Sequence, residues 1–179
     1  MADAGLEQWC ARAVELGADE AKLIDPSQVV TADWVRMKCL FGCDGPGDYR
    51  CCPPLSPTPD QTRRLLGEYE RAILLRVGPF HGEDESDDRG LRLNDAATDL
   101  ERELFLDGFY RAWTMGSGPC DRCETCNLDE PCRIPERARP SMEGCGVDVF
   151  ATVRDAGWEM EVVRDRDDEY RFFALVLVD

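Results

Sequence analysis

Cysteine constrains this chain more than any other residue type, because the 179 residues include ten cysteines and a single histidine. With only His81 available, sites that need two or more histidines are excluded, among them Cys2His2 fingers, HExxH zincins and 2-His-1-carboxylate iron centres. A metal bound here must therefore be held mostly by sulfur. The first residues carry neither the basic nor the apolar segment of an export signal. We therefore expect a cytoplasmic protein with reduced thiols, in which metal binding or redox chemistry is more typical than a disulfide framework.

The charge of the chain limits its partners. There are 37 Asp and Glu residues against 21 Lys and Arg, which gives a formal net charge of -16. This balance argues against binding to a nucleic-acid backbone or to an anionic membrane surface, since both need basic side chains. The longest apolar run, residues 172–178, is far shorter than the ~20 residues of a membrane span. We expect no nucleic-acid and no membrane partner, and the acidity suits either docking to a basic redox partner or solubility in a halophilic host.

The length predicts one domain over residues 1–179, with a core large enough for independent folding. Alternating helical and extended patterns predict an α/β or α+β fold, with a mixed sheet, helices and two cysteine-rich loops. These loops, residues 39–59 and 116–146, are rich in Gly and Pro and are expected to carry metal or iron-sulfur ligands.

Local patterns predict the individual elements. Helices are expected over residues 6–17, 58–70, 94–106 and 147–156, and strands over 21–24, 72–77 and 109–115. Residues 159–163 and 170–178 are expected to form a terminal hairpin, and residues 79–95 a solvated loop. The almost continuous apolar run of the last strand predicts burial on both of its faces.

The strongest metal-binding pattern is Cys120-Asp-Arg-Cys123-Glu-Thr-Cys126-x5-Cys132 in the second loop. Cysteines at three-residue spacing are typical of iron-sulfur ligands, because successive thiolates can reach different irons of one cubane. Zinc sites more often use two separated Cys-x2-Cys pairs. The spacing therefore favours a [4Fe-4S] cluster, with zinc as the alternative.

The first loop contains a second, less regular group. Its ligand candidates are Cys39, Cys43 and Cys52, with Cys145 expected to supply a fourth thiolate from just before a helix N-terminus. The two groups together make the eight thiolates that two clusters require, and Cys132 and Cys145 are open to exchange between them. Cys51 is expected to be a bystander, because adjacent cysteines cannot easily point at one centre. Cys10 lies on the apolar stripe of the first helix and is expected to be a buried small apolar residue.

Several segments resemble a known family. They are Lys38-Cys39-Leu-Phe-Gly-Cys43, Cys52-Pro-Pro, Asp107-Gly-Phe-Tyr-Arg-Ala112, Cys120-x2-Cys123-x2-Cys126, Cys132-x2-Pro135 and Arg139-Pro-Ser-Met-Glu-Gly-Cys145-Gly-Val-Asp-Val-Phe150. In this order they resemble the cysteine-rich domain-of-unknown-function family of predicted metal-binding proteins from archaea and anaerobic bacteria, over about residues 30–157. The resemblance implies a cysteine-ligated metal or iron-sulfur protein without an assigned reaction. Ile134 stands where a histidine would be usual after Cys132, and Cys10 and Cys51 are additional.

These patterns favour an electron carrier or redox module with one or two [4Fe-4S] clusters and an unidentified redox partner protein. One alternative is a zinc-binding structural or metal-handling accessory protein. Another is an enzyme whose cluster offers an open iron site. No catalytic residues stand out from the general acidity of the chain, so enzymatic activity is left undecided.

Overall fold

The computed structural model describes residues 5–81 and 86–179 and contains helices on both faces of one sheet. The helices are α1 (Glu7–Leu16), α2 (Asp33–Phe41), α3 (Pro59–Leu66), α4 (Ser86–Leu106) and α5 (Val149–Asp155). The strands are β1 (Glu20–Ile24), β2 (Ala72–His81), β3 (Trp113–Met115) and β4 (Glu169–Leu177). Short 3-10 turns cover Pro26–Gln28 and Glu143–Cys145.

The four strands lie in the order β1-β2-β4-β3, and each of these pairings is antiparallel. Leu74 pairs with Leu175 on one side of β4, and Met115 pairs with the same residue on the other. The last strand is therefore central. Ala174 and Val176 pack into one apolar cluster and Leu175 into the other, which confirms the predicted burial on both faces.

Each face of the sheet carries its own apolar layer. On one face α1 and α4 cover the sheet through Leu6, Ala13, Leu93, Leu100 and Leu104. On the other face the cover comes from α3, α5 and the 142–147 segment, through Leu66, Met142, Cys145, Val147 and Val153. The predicted combination of helices and a sheet is confirmed, and antiparallel pairing makes it the α+β alternative. The sheet is not mixed as predicted, because all three of its strand pairings are antiparallel. None of the helices in the described ranges is both long and apolar enough to cross a membrane.

The sequence patterns did not predict one helix, α2, and placed the start of another, α4, too late. The chain forms α2 before the first cysteine loop, where Trp34, Met37 and Phe41 are exposed and only a few residues face the interior. Without a continuous apolar stripe, this helix leaves no periodic signal. The predicted loop over 79–95 is wrong at both ends, since β2 continues to His81 and α4 already begins at Ser86. Residues 82–85, at the centre of that prediction, lie outside the described residues.

The predicted terminal hairpin is also wrong. Residues 159–163 form no strand, and Val162 and Val163 are exposed. β4 pairs instead with two segments that are distant in sequence, with β2 along most of its length and with β3 at Leu175 to Leu177.

Candidate metal centre

Three cysteines of the first loop line one cavity. Helix α2 carries Cys39 in its last turn and ends at Phe41, so Cys43 follows directly on the exposed side. The chain then turns back and brings Cys52 to the same cavity, which has a volume of about 440 Å³. The Cys39 thiol lies 3.9 Å from the carbonyl oxygen of Glu143, which also lines the cavity. The structure thus brings three of the four predicted ligands of this group to one space.

The buried side chain of Arg36 holds this loop in place. Its guanidinium donates to the carbonyl oxygens of Pro57 at 2.9 Å, Pro54 at 3.1 Å and Ser56 at 3.3 Å. The Ser56 hydroxyl in turn donates to the Gly144 carbonyl at 2.5 Å. The end of the first loop is therefore tied both to α2 and to the 143–145 turn.

A second arginine joins the two cysteine loops. Arg50 donates from Nε to the carbonyl of Asn127 at 2.9 Å and from Nη2 to that of Leu128 at 2.7 Å, and also to that of Glu130. These carbonyls lie between Cys126 and Cys132. The four cysteines of the second loop are all half-buried. Sequence reasoning missed Arg50, although a basic residue directly before a cysteine pair in a strongly acidic chain is a usable signal.

The thiols of Cys51 and Cys120 interact across the two loops. This interaction lowers the pKa of Cys120 despite its burial, with support from the backbone N–H and charge of Arg122. The adjacent Cys52 lines the cavity of the first group, where burial and the nearby thiols of Cys39 and Cys43 raise its pKa to about 11. Cys120 of the second loop also lies in electrostatic range of Cys52, so thiols of the two loops are close to one another.

Cys145 lies apart from the cavity. Its side chain is fully buried in the apolar cluster, beside Leu66 and Met142, and burial raises its pKa to about 12. The Thr62 hydroxyl donates to the Cys145 carbonyl at 2.7 Å. The residues immediately before it, Glu143 and Gly144, do line the cavity. Its predicted role as a fourth ligand stays a prediction, and it requires the thiol to turn out of the core.

Glu143 brings a carboxylate to the three cysteines of the first group. Its half-buried side chain lines the cavity, and burial raises the pKa of the carboxyl. The sequence analysis did not select it, although it belongs to the motif that ends at Cys145. Cys10, by contrast, packs beside the apolar cluster on the other face of the sheet, as expected for a residue outside the site.

The donor atoms fit a thiophilic metal. Within residues 5–81 and 86–179, no three or more His, Cys, Asp or Glu side chains already surround one point as ligands of a single ion. The cysteine thiols nevertheless gather in two neighbouring groups, and soft sulfur donors suit iron-sulfur clusters and zinc. Binding would release the protons of these thiols, so metal loading and loop geometry are coupled.

Comparison with known proteins supports the same chemistry. The family model DUF2284, described as a predicted metal-binding protein, matches residues 22–178. No curated protein and no solved structure matches the chain significantly. The match includes both cysteine loops and nearly all of the sheet, and it confirms the resemblance noted from the motifs. The chain belongs to the DUF2284 family of predicted metal-binding proteins.

Proposed function

We propose that this metal-binding protein holds one or two [4Fe-4S] clusters and acts as an electron carrier or redox module. The first cluster takes Cys39, Cys43, Cys52 and Cys145, and the second takes Cys120, Cys123, Cys126 and Cys132. The observation that carries the proposal is the packing of two cysteine loops, distant in sequence, against each other through Arg50. Three-residue cysteine spacing in the second loop supports iron-sulfur over zinc.

The surroundings of the cavity suit a cluster of low reduction potential. Asp44 and Asp48 line it together with the cysteines, and Asp121 follows Cys120. Negative charge near a cluster disfavours the added electron. The same acidic surface would attract a basic redox partner and speed its association.

The test is anaerobic reconstitution with ferric iron, sulfide and a thiol reductant, followed by metal and acid-labile sulfide analysis. We expect about four irons and four sulfides per cluster, and an electron paramagnetic resonance signal that appears on reduction and disappears on reoxidation. Cys10→Ser is the matched control, because it removes a thiol on the other face of the sheet. Stoichiometric zinc without sulfide would contradict the redox proposal and favour the structural or metal-handling alternative, in which a chelator unfolds the chain.

One observation favours an enzyme with an open iron site as a second candidate. Three thiols face the cavity while Cys145 lies behind its wall and the Glu143 carboxyl lines it. A cluster with three thiolate ligands leaves one iron free for an exchangeable ligand. Cys145→Ala separates the two cases. An intact first cluster in this variant supports the open iron site, and loss of the cluster supports ligation by four cysteines.

A further inference from the structure

One face of α2 presents large apolar side chains to solvent beside the first cysteine group. Trp34, Met37 and Phe41 follow one another at spacings of three and four residues, so they lie on one side of the helix. Their side chains are 48%, 47% and 83% exposed. Contiguous apolar side chains left exposed in this way are typical of surfaces that bind another molecule. Packing within the fold does not account for this α2 face.

The α2 face leads directly to the first cysteine group. Trp34 and Phe150 line a groove of about 290 Å³ together with Cys39 and Cys43. The same two cysteines line the larger cavity of the candidate metal centre. Of the ten cysteines, all of which lie in the described ranges, Cys43 alone is exposed. A metal centre held by these thiols would therefore lie nearest to the surface where α2 ends.

Acidic side chains surround the α2 face. Asp33 is the first residue of the helix and Asp44 lies three residues beyond its end, and both are exposed. Asp148 lines the groove with Trp34. Lys38 adds one positive charge, and its ammonium lies 5.0 Å from the centre of the Trp34 ring. The three carboxylates outnumber this ammonium, so the rim is acidic, like the whole chain with its formal net charge of -16.

The charge and the residue types together indicate what covers the α2 face. Two copies of this chain would bring acidic rims together, and like charges across an interface oppose association. A partner with an apolar centre and a rim of Lys and Arg matches both the apolar side chains and the carboxylates. Aromatic residues and Met are enriched at protein interfaces. Transient redox complexes bury less surface than stable complexes, so a face of this size is sufficient.

We propose that the α2 face, formed by Trp34, Met37 and Phe41, is the docking surface for a basic one-electron redox protein. The inference rests on the proposed function. When the two proteins are docked, one electron passes between the cluster of the first cysteine group and the redox centre of the partner. One centre is oxidised as the other is reduced, no bond forms and no proton moves. The exposed Cys43 lies on the side of the cluster that faces the partner.

The first test measures electron transfer to cytochrome c, a small basic one-electron acceptor. Wild type, Trp34→Ser and Phe41→Ser are loaded with iron and sulfide, reduced with dithionite, freed of excess reductant and mixed with ferricytochrome c in a stopped-flow instrument. We expect the second-order rate constant to fall by about tenfold or more in both variants, because aromatic residues at the centre of an interface carry much of the binding energy. It should also fall as ionic strength rises.

Phe105→Ser is the matched control. It removes an aromatic side chain that is 55% exposed at the end of α4, the helix that covers the other face of the sheet. Its rate constant should equal that of wild type. Iron content and circular dichroism check that each variant is loaded and folded.

The second test locates the docked partner. A carbodiimide joins carboxylates of this chain to lysines of bound cytochrome c, and mass spectrometry identifies the joined residues. We expect Asp33 and Asp44 among them. Asp107, which is exposed near Phe105, should remain unmodified by the partner.

The outcomes separate the two proposals. Equal rates in wild type, Trp34→Ser and Phe41→Ser, an equal loss in Phe105→Ser, or cross-links only at carboxylates remote from α2 overturn the docking surface and leave the proposed function intact. A dimer in sedimentation that Trp34→Ser abolishes also overturns it, because a second copy then covers the face. If wild type holds no reducible cluster, the proposed function fails and the inference fails with it.

Discussion

The Nε atom of Arg50 donates a hydrogen bond of 2.9 Å to the carbonyl oxygen of Asn127. This contact and the neighbouring one to Leu128 at 2.7 Å join the first cysteine loop to the second, at residues that belong to neither a helix nor a strand. Each loop alone could present its cysteines in many arrangements. The arginine selects one arrangement, in which thiols from both loops are neighbours.

Replacing Arg50 by Lys should loosen the metal site without unfolding the sheet. A lysine ammonium cannot reproduce the fork that reaches several carbonyls at once. We expect metal release to a chelator to accelerate by about tenfold, the lower end of the effect of removing an outer-shell partner. Stopped-flow chelator kinetics measure the rate. Arg133→Lys is the matched control, because Arg133 is an exposed arginine of the second cysteine loop, and equal rates in the two variants would contradict the role of Arg50.

Replacing Arg36 by Lys should lower both the stability of the fold and the affinity of the first cysteine group for metal. The buried guanidinium donates to carbonyls of Pro54, Ser56 and Pro57, which would lose these partners. The loss of hydrogen bonds to a charged group, together with carbonyls left without a partner, should lower the free energy of unfolding by roughly 2–4 kcal/mol. Urea unfolding of the metal-free protein measures it. Arg64→Lys, on the exposed side of α3, should change stability little.

Gly146→Ala should destabilise the turn that positions Glu143 and Cys145. Gly146 has φ of +78°, and a Cβ there would lie 2.5 Å from Cγ of Pro59. The left-handed backbone costs an alanine about 1–2 kcal/mol, and overpacking typically adds about 1–3 kcal/mol.

Gly118→Ala separates these two contributions. Its φ is +66°, but a Cβ would meet nothing within 4 Å, so only the backbone cost applies. Thermal or urea unfolding of both variants gives the comparison. Equal losses in Gly118→Ala and Gly146→Ala would show that the contact with Pro59 contributes nothing.

Raising the pH should destabilise the metal-free protein through Cys145. In the unfolded chain its thiol ionises near the ordinary value of 9.0, whereas burial in the folded protein raises the pKa to about 12. Between these values the unfolded state releases a proton that the folded state retains, so rising pH favours unfolding. The contribution of the Cys145 thiol to the free energy of unfolding is complete below pH 9 and is lost towards pH 12. The loss is no more than about 1.4 kcal/mol per pH unit for one thiol.

The measurement is urea unfolding across this pH range in the presence of a chelator and a reductant. Cys145→Ala should be less stable at neutral pH but should show a shallower decline with pH. Cys52, with a pKa raised to about 11, contributes to the slope that remains. An unchanged slope in Cys145→Ala would contradict the assignment.

Elements with a strong local pattern could be predicted from the sequence. Thr58 accepts a hydrogen bond from the Gln61 backbone while the Gln61 side chain accepts one from the Thr58 N–H, and this capping box starts α3 where the sequence predicted a helix to begin. The apolar run of β4 likewise predicted its burial on both faces. Helix α2 and the partners of β4 could not be predicted in the same way, because they depend on contacts with segments distant in sequence.

The sequence by itself limited the chemistry open to this protein: with one histidine and ten cysteines, any metal it binds would be held mostly by sulfur, and the motifs place it in a family of predicted metal-binding proteins. Only the tertiary structure decided which thiols are neighbours. Cys39, Cys43 and Cys52 line one cavity, whereas Cys145 lies in the core. In loops that lack the apolar periodicity of a helix or strand, the direction of a side chain is set by long-range hydrogen bonds such as those of Arg50 and Arg36. Local sequence patterns do not reveal these bonds.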